Sequence, residues 1–221
     1  MLQIIDWGER SYQEGYKLQH RLAKERAENI IPDTLILVSH PPVFTIGCRG
    51  SRTEILASEE KLREAGISVE KVDRGGAVTY HGPGQLVAYP ILHMGSRGIN
   101  LHHLIHKYEE TVVSTLKYFG IAAERNPEFI GVWVSNQKIC AVGIGVKRWV
   151  SYHGLALNIS TNLDHYRYII PCGISHLGIT SMEKVLEIPV HFKEVKNVFI
   201  EAFVKEFGYN EHQVEQPTAE N

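Results

Sequence analysis

Hydrophobic and polar residues show two different patterns along the chain, one typical of strands and the other typical of helices. The continuous apolar run 34–39 predicts a strand buried on both faces, because it offers no polar side to solvent. In 101–119 the apolar residues recur every three or four positions, which predicts a long helix with one dry side. Further strands are predicted at 2–7, 43–46, 67–72, 86–92, 131–135, 138–146 and 150–159, and further helices at 11–29, 58–65 and 191–207.

The order of these segments predicts the fold class. Strands outnumber helices, and they occur both as hairpins and separated by helices, which is typical of an α+β domain with a mixed or antiparallel sheet and packed helices. No repeat or linker divides the chain, so residues 1–209 are predicted to form a single domain. Residues 210–221 are polar and are predicted to be a flexible tail. The aperiodic stretch 160–182 is predicted to be a long functional loop.

Composition and charge exclude several classes of protein. The chain has 221 residues, 43% of them hydrophobic, and a formal charge of −2, so neither nucleic acid nor a membrane surface is expected as a partner. The first residues form no signal-peptide core, and no apolar run approaches the roughly 20 residues that span a bilayer. Three widely spaced cysteines without a Cys-x-x-Cys pair predict neither disulfides nor a thiolate zinc site. These features predict a soluble, cytoplasmic protein.

Twelve histidines raise the question of a metal site. His102 and His106 lie four residues apart on a predicted helix, with Glu109 and Glu110 close behind. The arrangement differs from the His-Glu-x-x-His pattern of zinc enzymes, so a solvated or packing role is favoured for these side chains. No metal and no other cofactor is expected.

The stretch 74–85 holds four glycines and a proline between two predicted strands. Glycine lets the backbone approach a ligand closely and leaves its N–H groups available, so this stretch is a candidate binding loop. The same composition is also typical of a glycine-rich hairpin at the surface. The spacing alone leaves both interpretations open.

Cys172 is a candidate nucleophile. It lies between Pro171 and Gly173 in the predicted long loop, where an exposed thiol attacks if a neighbour lowers its pKa or takes its proton. Lys138, at a predicted hairpin turn, and His81 and His153 are the candidate neighbours. The alternatives are an ordinary solvated lysine and a structural cysteine, the role expected for Cys140 in its strand.

Four segments, in order along the chain, resemble the signature of lipoyl(octanoyl) transferases. The longest is 74–90, which reads RGGAVTYHGPGQLVAYP. The others are 40–47 (HPPVFTIG), 138–143 with 152–158 (KICAVG, YHGLALN), and 170–173 (IPCG). A glycine-rich loop alone would be a weak match, whereas four ordered segments covering 40–182 are a specific one.

This resemblance implies a biotin/lipoate-protein ligase-like fold, of the class II aminoacyl-tRNA synthetase/biotin synthetase-like kind, with 1–209 as the catalytic domain. It implies an acyltransferase of lipoate biosynthesis that moves an octanoyl (or lipoyl) group from acyl carrier protein to a specific lysine. The implied acceptors are lipoyl domains of 2-oxoacid dehydrogenase E2 subunits and glycine-cleavage H protein. This transfer is the first step of endogenous protein lipoylation, and a monomer is expected.

The resemblance also implies roles for particular residues. Cys172 would carry the acyl thioester, and Lys138 would lie beside it. Substrate contacts are implied for Arg74, Gly75, Gly76, Ala77, Val78, Thr79, Tyr80, His81, Ala141, Val142, Gly143, Gly154, Leu155 and Ala156.

Three other functions compete with this interpretation. An ATP-dependent lipoate or biotin ligase on the same fold would need no cysteine nucleophile, so acylation without ATP separates it from a transferase. A non-catalytic acyl-binding module predicts that Cys172 is inert toward mild alkylators. A plain thioesterase is disfavoured, because the sequence has no evident Ser-His-Asp or Cys-His-Asn pattern.

Overall fold

The structure is a computed structural model that describes residues 1–170 and 178–215, so Cys172 lies outside the described residues. Within them the helices are α1 (Tyr12–Ala27), α2 (Glu59–Glu64), α3 (Leu101–Tyr118), α4 (Met182–Leu186) and α5 (Phe192–Phe207). The strands are β1 (Leu2–Glu9), β2 (Asp33–Ser39), β3 (Val43–Ile46), β4 (Ser68–Lys71), β5 (Val78–His81), β6 (Gln85–Ile91), β7 (Glu124–Arg125), β8 (Val132–Val134), β9 (Gln137–Lys147), β10 (Val150–Asn158), β11 (Gly178–Ile179) and β12 (His212–Glu215).

A large mixed sheet forms the centre of the described fold. Its strands follow the order β12-β1-β2-β6-β10-β9-β8-β7, with β11 paired to one end of β9. β1 is parallel to β2 and β12, whereas β2, β6, β10 and β9 pair as antiparallel neighbours. A smaller sheet has the order β4-β3-β5. The predicted α+β class with a mixed sheet and packed helices is therefore confirmed.

Helices cover both faces of the large sheet. On one face α3 and α5 bury the aromatic side chains Tyr108, Phe199 and Phe203 completely. On the other face α1 packs Leu18 and Leu22 against strands of the sheet. This two-sided cover explains why β2 is apolar along its whole length, since both faces of a central strand must be dry.

Local sequence signals set the beginning of α1 as predicted, whereas the turn predicted at 136–137 lies one residue earlier. α1 begins after Ser11, whose hydroxyl accepts from the Glu14 N–H while the Glu14 carboxylate accepts from the Ser11 N–H, a complete capping box. The hairpin between β8 and β9 turns at Ser135 and Asn136, which have φ of 46° and 64°. Two consecutive left-handed residues are what a tight hairpin turn requires.

The interpretation of 74–85 as a loop was wrong for its central part. Val78–His81 forms β5, which pairs antiparallel with β3. The glycines on either side suggest a loop. The four residues between them, however, are β-branched or aromatic, and such side chains are common in strands. The strand forms because these residues pair with β3, which is distant in sequence.

Two other stretches contain more regular structure than their sequences predict. In the predicted loop 160–182, the described residues form a 3₁₀ helix at Leu163–Tyr168, then β11 and the beginning of α4. In the predicted tail, His212–Glu215 forms β12 and pairs with β1. Both strands are short and lie at the edge of a sheet. They form because a neighbouring strand offers hydrogen bonds, and no alternation of hydrophobic residues marks them in the sequence. The domain boundary at 209 stays a prediction.

A search of the helices in 1–170 and 178–215 finds none with the length and apolar character needed to cross a membrane.

Asp33 joins three parts of the fold at the beginning of β2. Its buried carboxylate accepts hydrogen bonds from Arg26 on α1 (2.8 Å), Arg97 (3.1 Å) and the Tyr209 hydroxyl beyond α5 (2.8 Å). Burial by itself raises the pKa of Asp33, but these donors and the His93 N–H outweigh it and lower the pKa overall.

We expect Asp33→Asn to lower the free energy of unfolding by about 3 kcal/mol at pH 7, because it leaves two partly buried arginines without their carboxylate. The folded-state pKa lies below the unfolded value of about 3.9, so the stabilisation is present above that pH and is lost as the pH falls through the folded pKa. Urea unfolding should therefore show the difference between wild type and variant narrowing below about pH 4. The control Asp164→Asn, in the exposed pair with Arg167, should change stability by less than about 0.5 kcal/mol. A difference for Asp33→Asn that is independent of pH down to pH 2 would contradict this account.

Candidate functional site

A narrow slot lies on the α1 side of the large sheet, next to the small sheet, and encloses about 470 Å³ including the part open to solvent. Residues from α1, the 74–77 loop and four strands form its walls. The lining residues are Tyr12, Arg74, Gly75, Gly76, Ala77, Thr79, His81, Val87, Tyr89, Ala141, Val142, Gly143, His153, Gly154, Leu155 and Ala156.

The slot brings together all the substrate residues implied by the sequence except Val78 and Tyr80. Side chains alternate along β5, so Thr79 and His81 face the slot whereas Val78 and Tyr80 point into a separate core. The Tyr80 hydroxyl lies 2.8 Å from His165 Nδ1 in that core. Val78 and Tyr80 therefore pack on the side of β5 that faces away from the slot.

Arg74 is the one permanently charged side chain among the described residues that line the slot. It is buried, and its guanidinium donates to the Thr45 backbone oxygen (2.7 Å), the Thr45 hydroxyl (2.8 Å) and the Gly75 backbone oxygen (3.0 Å). These bonds attach the 74–77 loop to β3 and satisfy a charge that would be costly to bury unpaired. The loop is therefore fixed where it meets the slot.

Two glycines on β9 and β10 allow the walls to approach each other. A Cβ on Gly143 would lie 2.9 Å from the Gly75 backbone oxygen, and one on Gly154 would lie 2.2 Å from the Ala88 backbone oxygen. The Gly75 N–H donates to the Ile144 oxygen (2.9 Å), which joins the loop to β9 at the same place. Glycine inside a strand is typical of such a close approach.

His81 and His40 lie in the dry interior beside the slot and are uncharged at neutral pH. Burial is the main cause that lowers the pKa of His81 to about 3 and that of His40 to about 4. His81 donates from Nδ1 to the Gln85 side-chain oxygen (2.8 Å), and Tyr12 stacks on its ring at 5.7 Å. His40 donates from Nδ1 to the Arg10 oxygen and accepts from the Tyr89 hydroxyl at 2.8 Å.

A chain of side-chain amides leads away from His81 toward β11. The Gln85 amide donates to the Asn158 side-chain oxygen (2.9 Å), and the Asn158 amide donates to the Thr180 backbone oxygen (3.0 Å). Thr180 in turn donates its N–H to the Lys138 backbone oxygen (3.0 Å). The slot is thus connected to the residues that follow the stretch 171–177.

Lys138 is buried, contrary to the alternative of an ordinary solvated lysine. It is 6% exposed, it lies on β9 rather than in the turn, and its Nζ lies 4.8 Å from the centre of the Trp133 ring. Gly131 makes room for it, because a Cβ there would lie 3.3 Å from Lys138 Cε. Lys138 is not among the residues that line the slot.

His153, a buried residue of the slot wall, pairs with the exposed carboxylate of Asp73. His153 Nε2 donates to Asp73 at 2.9 Å, and the hydroxyls of Tyr152 and Tyr16 donate to the same carboxylate at 2.9 and 3.2 Å. The hydrogen bond from His153 is the first cause that holds the pKa of Asp73 well below its usual range. At neutral pH Asp73 is ionised and His153 is neutral, since burial lowers the pKa of His153.

The sequence analysis missed several residues of this site. Tyr12, Val87 and Tyr89 line the slot but have the pattern of ordinary core residues on a helix and a strand. Asp73 directly precedes the recognised 74–85 stretch, and a carboxylate at the end of a strand next to a glycine-rich loop was a usable signal. Within 1–170 and 178–215, no three His, Cys, Asp or Glu side chains are close enough to share a metal ion.

Comparison with known proteins gives a consistent family. Residues 11–204 match the model of the lipoyl protein ligase A/B catalytic domain. The octanoyltransferase of Caldicellulosiruptor saccharolyticus is 47% identical over 199 residues, which is 89% of this chain and 85% of that protein. The octanoyltransferase of Alkaliphilus metalliredigens is 41% identical over 95% of this chain and 96% of its own length.

Solved structures with the same fold are more distant in sequence. Lipoate-protein ligase A bound with ATP superposes with a TM-score of 0.74 at 16% identity, covering 99% of this chain and 90% of that one. Biotin protein ligase from Aquifex aeolicus in complex with biotin and ATP gives 0.57 at 15% identity, covering 93% and 70%. At these identities the likeness shows the fold alone, and it confirms the predicted biotin/lipoate-protein ligase-like architecture.

We expect neither His40 nor His81 to gain a proton between pH 5 and 8, because burial holds both rings neutral. Both folded-state pKa values lie below the unfolded value of about 6.5, so the protein loses stability as the pH falls below about 6.5. Each ring adds up to about 1.4 kcal/mol per pH unit to that slope. Nitrogen NMR of labelled histidines tests the protonation directly, and His81→Gln should make the slope of unfolding free energy against pH shallower. A His81 resonance that titrates with a midpoint above pH 5 would show the description of the ring to be wrong.

Proposed function

The chain belongs to the lipoyl protein ligase A/B catalytic-domain family, and from that membership and its octanoyltransferase relatives we infer that it transfers an octanoyl group in protein lipoylation. It is an acyltransferase. The observation on the molecule itself that carries this function best is the slot, whose lining contains all but two of the implied substrate residues.

The chemistry of the slot suits an unbranched acyl chain. Its walls are mostly aliphatic or aromatic side chains and glycine backbone, with uncharged His81 among them. Burying about six methylene groups at about 0.8 kcal/mol each offers roughly 5 kcal/mol of binding. The Gly75 N–H is already bonded to the Ile144 oxygen, so the candidate donor to an oxygen that becomes negative during acyl transfer is the backbone N–H of Gly76.

The donor in this proposal is octanoyl-acyl carrier protein, and the acceptors are lysines on lipoyl domains of 2-oxoacid dehydrogenases and on glycine-cleavage H protein. The enzyme works as a monomer, with residues 1–209 as its catalytic domain. The slot is too narrow for a protein, so only the acyl chain enters it while the carrier remains outside.

Transfer proceeds in two balanced steps through Cys172. Cys172 gives up its proton, its thiolate attacks the carbonyl carbon of the octanoyl thioester, the bond to the carrier sulfur breaks, and the carrier sulfur takes up that proton and leaves as a thiol. The acceptor amine then attacks the new thioester, an amide forms, and the amine proton returns to the sulfur of Cys172. No oxidant and no nucleotide is consumed.

The described residues on either side of 171–177 support Lys138 as the neighbour of Cys172. The chain leaves the described part at Ile170, whose N–H donates to the Glu54 oxygen (2.8 Å). It returns at β11, where Ile179 is paired with Lys138. The strand that follows the stretch 171–177 therefore lies beside the buried lysine.

The ATP-dependent ligase is the second candidate, because lipoate-protein ligase A with ATP shares this fold. The likeness reaches only 16% identity, whereas the octanoyltransferase relatives reach 47% over most of the chain. ATP requirement separates the two, since a ligase must activate a free acid and a transferase receives a thioester that is already activated.

We expect the chain to gain the mass of one octanoyl group when it is mixed with octanoyl-acyl carrier protein without ATP, and to lose it when an apo lipoyl domain is added. Cys172→Ser should abolish the adduct in intact-mass spectra, because the proposed thioester can no longer form. Cys48→Ser, at an exposed cysteine, is the matched control and should load normally. An adduct that persists in Cys172→Ser would assign the nucleophile to another residue, and octanoylation that needs ATP would favour the ligase.

Lys138→Met should slow transfer to the lipoyl domain by about 100-fold or more, but slow loading only about threefold. A nearby ammonium raises the thiolate fraction of a cysteine but also lowers the reactivity of each thiolate, so the two effects largely cancel in loading. In the second step the same charge stabilises the departing thiolate. Single-turnover measurements of both steps test this prediction. Lys107→Met is the control, because it removes a lysine beside Phe207 on the face of the large sheet opposite the slot. Loading that slows as much as transfer would refute this division of labour.

A further inference from the structure

The slot is open at one side and closed at the other. Its residues on β9, 141–143, are half-buried, and Gly75 in the loop that meets them is exposed. Its residues on β6 are buried, since Val87 is 1% exposed and Tyr89 is 3% exposed. Both belong to the hydrophobic core beneath α1, which fills the space beyond β6. In the described part of the protein, an acyl chain that enters on the β9 side therefore points its methyl end toward β6.

A row of small side chains forms the floor between these two sides. Ala156 on β10 is paired with Ala141 on β9 and with Val87 on β6, and directly paired residues of neighbouring strands face the same side of a sheet. Neighbouring strands lie about 4.8 Å apart, so the row extends about 10 Å from β9 to β6. A fully extended eight-carbon chain is about 9 Å long. The floor thus has the length of an octanoyl group.

Two tyrosine rings form the closed side of the slot. Tyr12, the first residue of α1, is 5% exposed, and its ring stacks on that of His81 at 5.7 Å. Tyr12 and Tyr89 both contact the ring of His40, at 5.2 and 5.9 Å between ring centres, so they lie at the same side of the slot.

Buried contacts hold this closed side in place. The Tyr89 hydroxyl donates to His40 Nε2 at 2.8 Å, and His40 donates from Nδ1 to the Arg10 oxygen at 2.7 Å. Tyr12 packs against Val43 of the small sheet. Because protein interiors are closely packed, neither ring has room to move away from a longer ligand.

We propose that Tyr12 and Tyr89 determine the length of the acyl chain that the slot accepts, because they stop its methyl end at β6. This inference rests on the proposed octanoyl transfer and adds to it a selection for eight carbons over longer chains. A ten-carbon chain would press two further methylene groups against the rings, and overpacking of this kind is unfavourable. A six-carbon chain fits but buries less apolar surface.

The test compares hexanoyl-, octanoyl- and decanoyl-acyl carrier protein as donors. We expect Tyr12→Ala to raise the ratio of kcat/KM for decanoyl over octanoyl by about tenfold or more, since one methylene group in a shaped pocket changes such a ratio by about 10- to 200-fold. Tyr89→Leu, which removes the other ring, should raise the same ratio and replaces Tyr12→Ala if that variant does not fold. Tyr118→Ala, at an exposed tyrosine on α3, is the control and should leave the ratio as in wild type.

Val87→Ile tests the opposite direction. It adds one methyl group at the closed side and keeps a β-branched residue in the strand, so the variant should fold and should raise the ratio of kcat/KM for hexanoyl over octanoyl. Ratios that stay unchanged in the folded tyrosine variants and in Val87→Ile, or rates that fall equally for all three donors, overturn the inference and leave octanoyl transfer intact.

A binding measurement separates this inference from the proposed function. If wild type transfers no acyl group, the proposed function fails, and calorimetric binding of hexanoate, octanoate and decanoate to wild type, Tyr12→Ala or Tyr89→Leu, and Val87→Ile still decides the role of the closed side. A shift toward decanoate in the tyrosine variant and toward hexanoate in Val87→Ile supports the inference. The same order of affinities in all the proteins would overturn it.

Discussion

The buried guanidinium of Arg74 is the interaction on which the slot depends. Its hydrogen bonds to Thr45 attach the 74–77 loop to the small sheet, and the Gly75 N–H joins the same loop to Ile144 of the large sheet. A charge in such a place is tolerated only when its donors are satisfied, so the loop around it has little freedom to move. The loop follows this constraint, because the Cys48 N–H donates to the Arg74 oxygen and the Gly75 N–H to the Ile144 oxygen.

Close packing of the backbone around the slot is the second constraint, and it follows from the hydrogen bonds of Arg74. With the 74–77 loop fixed against β9, a side chain at Gly143 would collide with the Gly75 oxygen, and one at Gly47 with the Gly76 oxygen at 2.5 Å. Glycine at these positions lets the walls lie closer together than any side chain would allow. The histidines around the slot then remain uncharged because the space is dry, which keeps the interior suited to an apolar tail.

The fold alone does not distinguish the possible reactions. Ligases whose structures contain ATP share this architecture at 15–16% identity, so the arrangement of strands does not by itself indicate the reaction. The distinction depends on individual side chains, of which Cys172 and Lys138 are the proposed ones. Lys138 differs from a surface lysine, since it is buried against Trp133 and paired with β11, the strand that follows residues 171–177.

The sequence by itself determined the α+β class, the main helices and strands and most of the slot lining, because these depend on periodicity, capping and ordered motifs that are local in the chain. It could not determine that Val78–His81 forms a strand, since that strand exists only through its pairing with β3. Nor could it show that Val78 and Tyr80 face away from the slot, or that Tyr12 and Tyr89 enter it. The environment of His153 was also decided by the tertiary structure alone, because Gln19 and Asp73, distant in sequence, together hold its backbone and ring in place. Local patterns fix which segments are helices and strands, whereas the contacts that orient a buried polar side chain come from residues that only folding brings together.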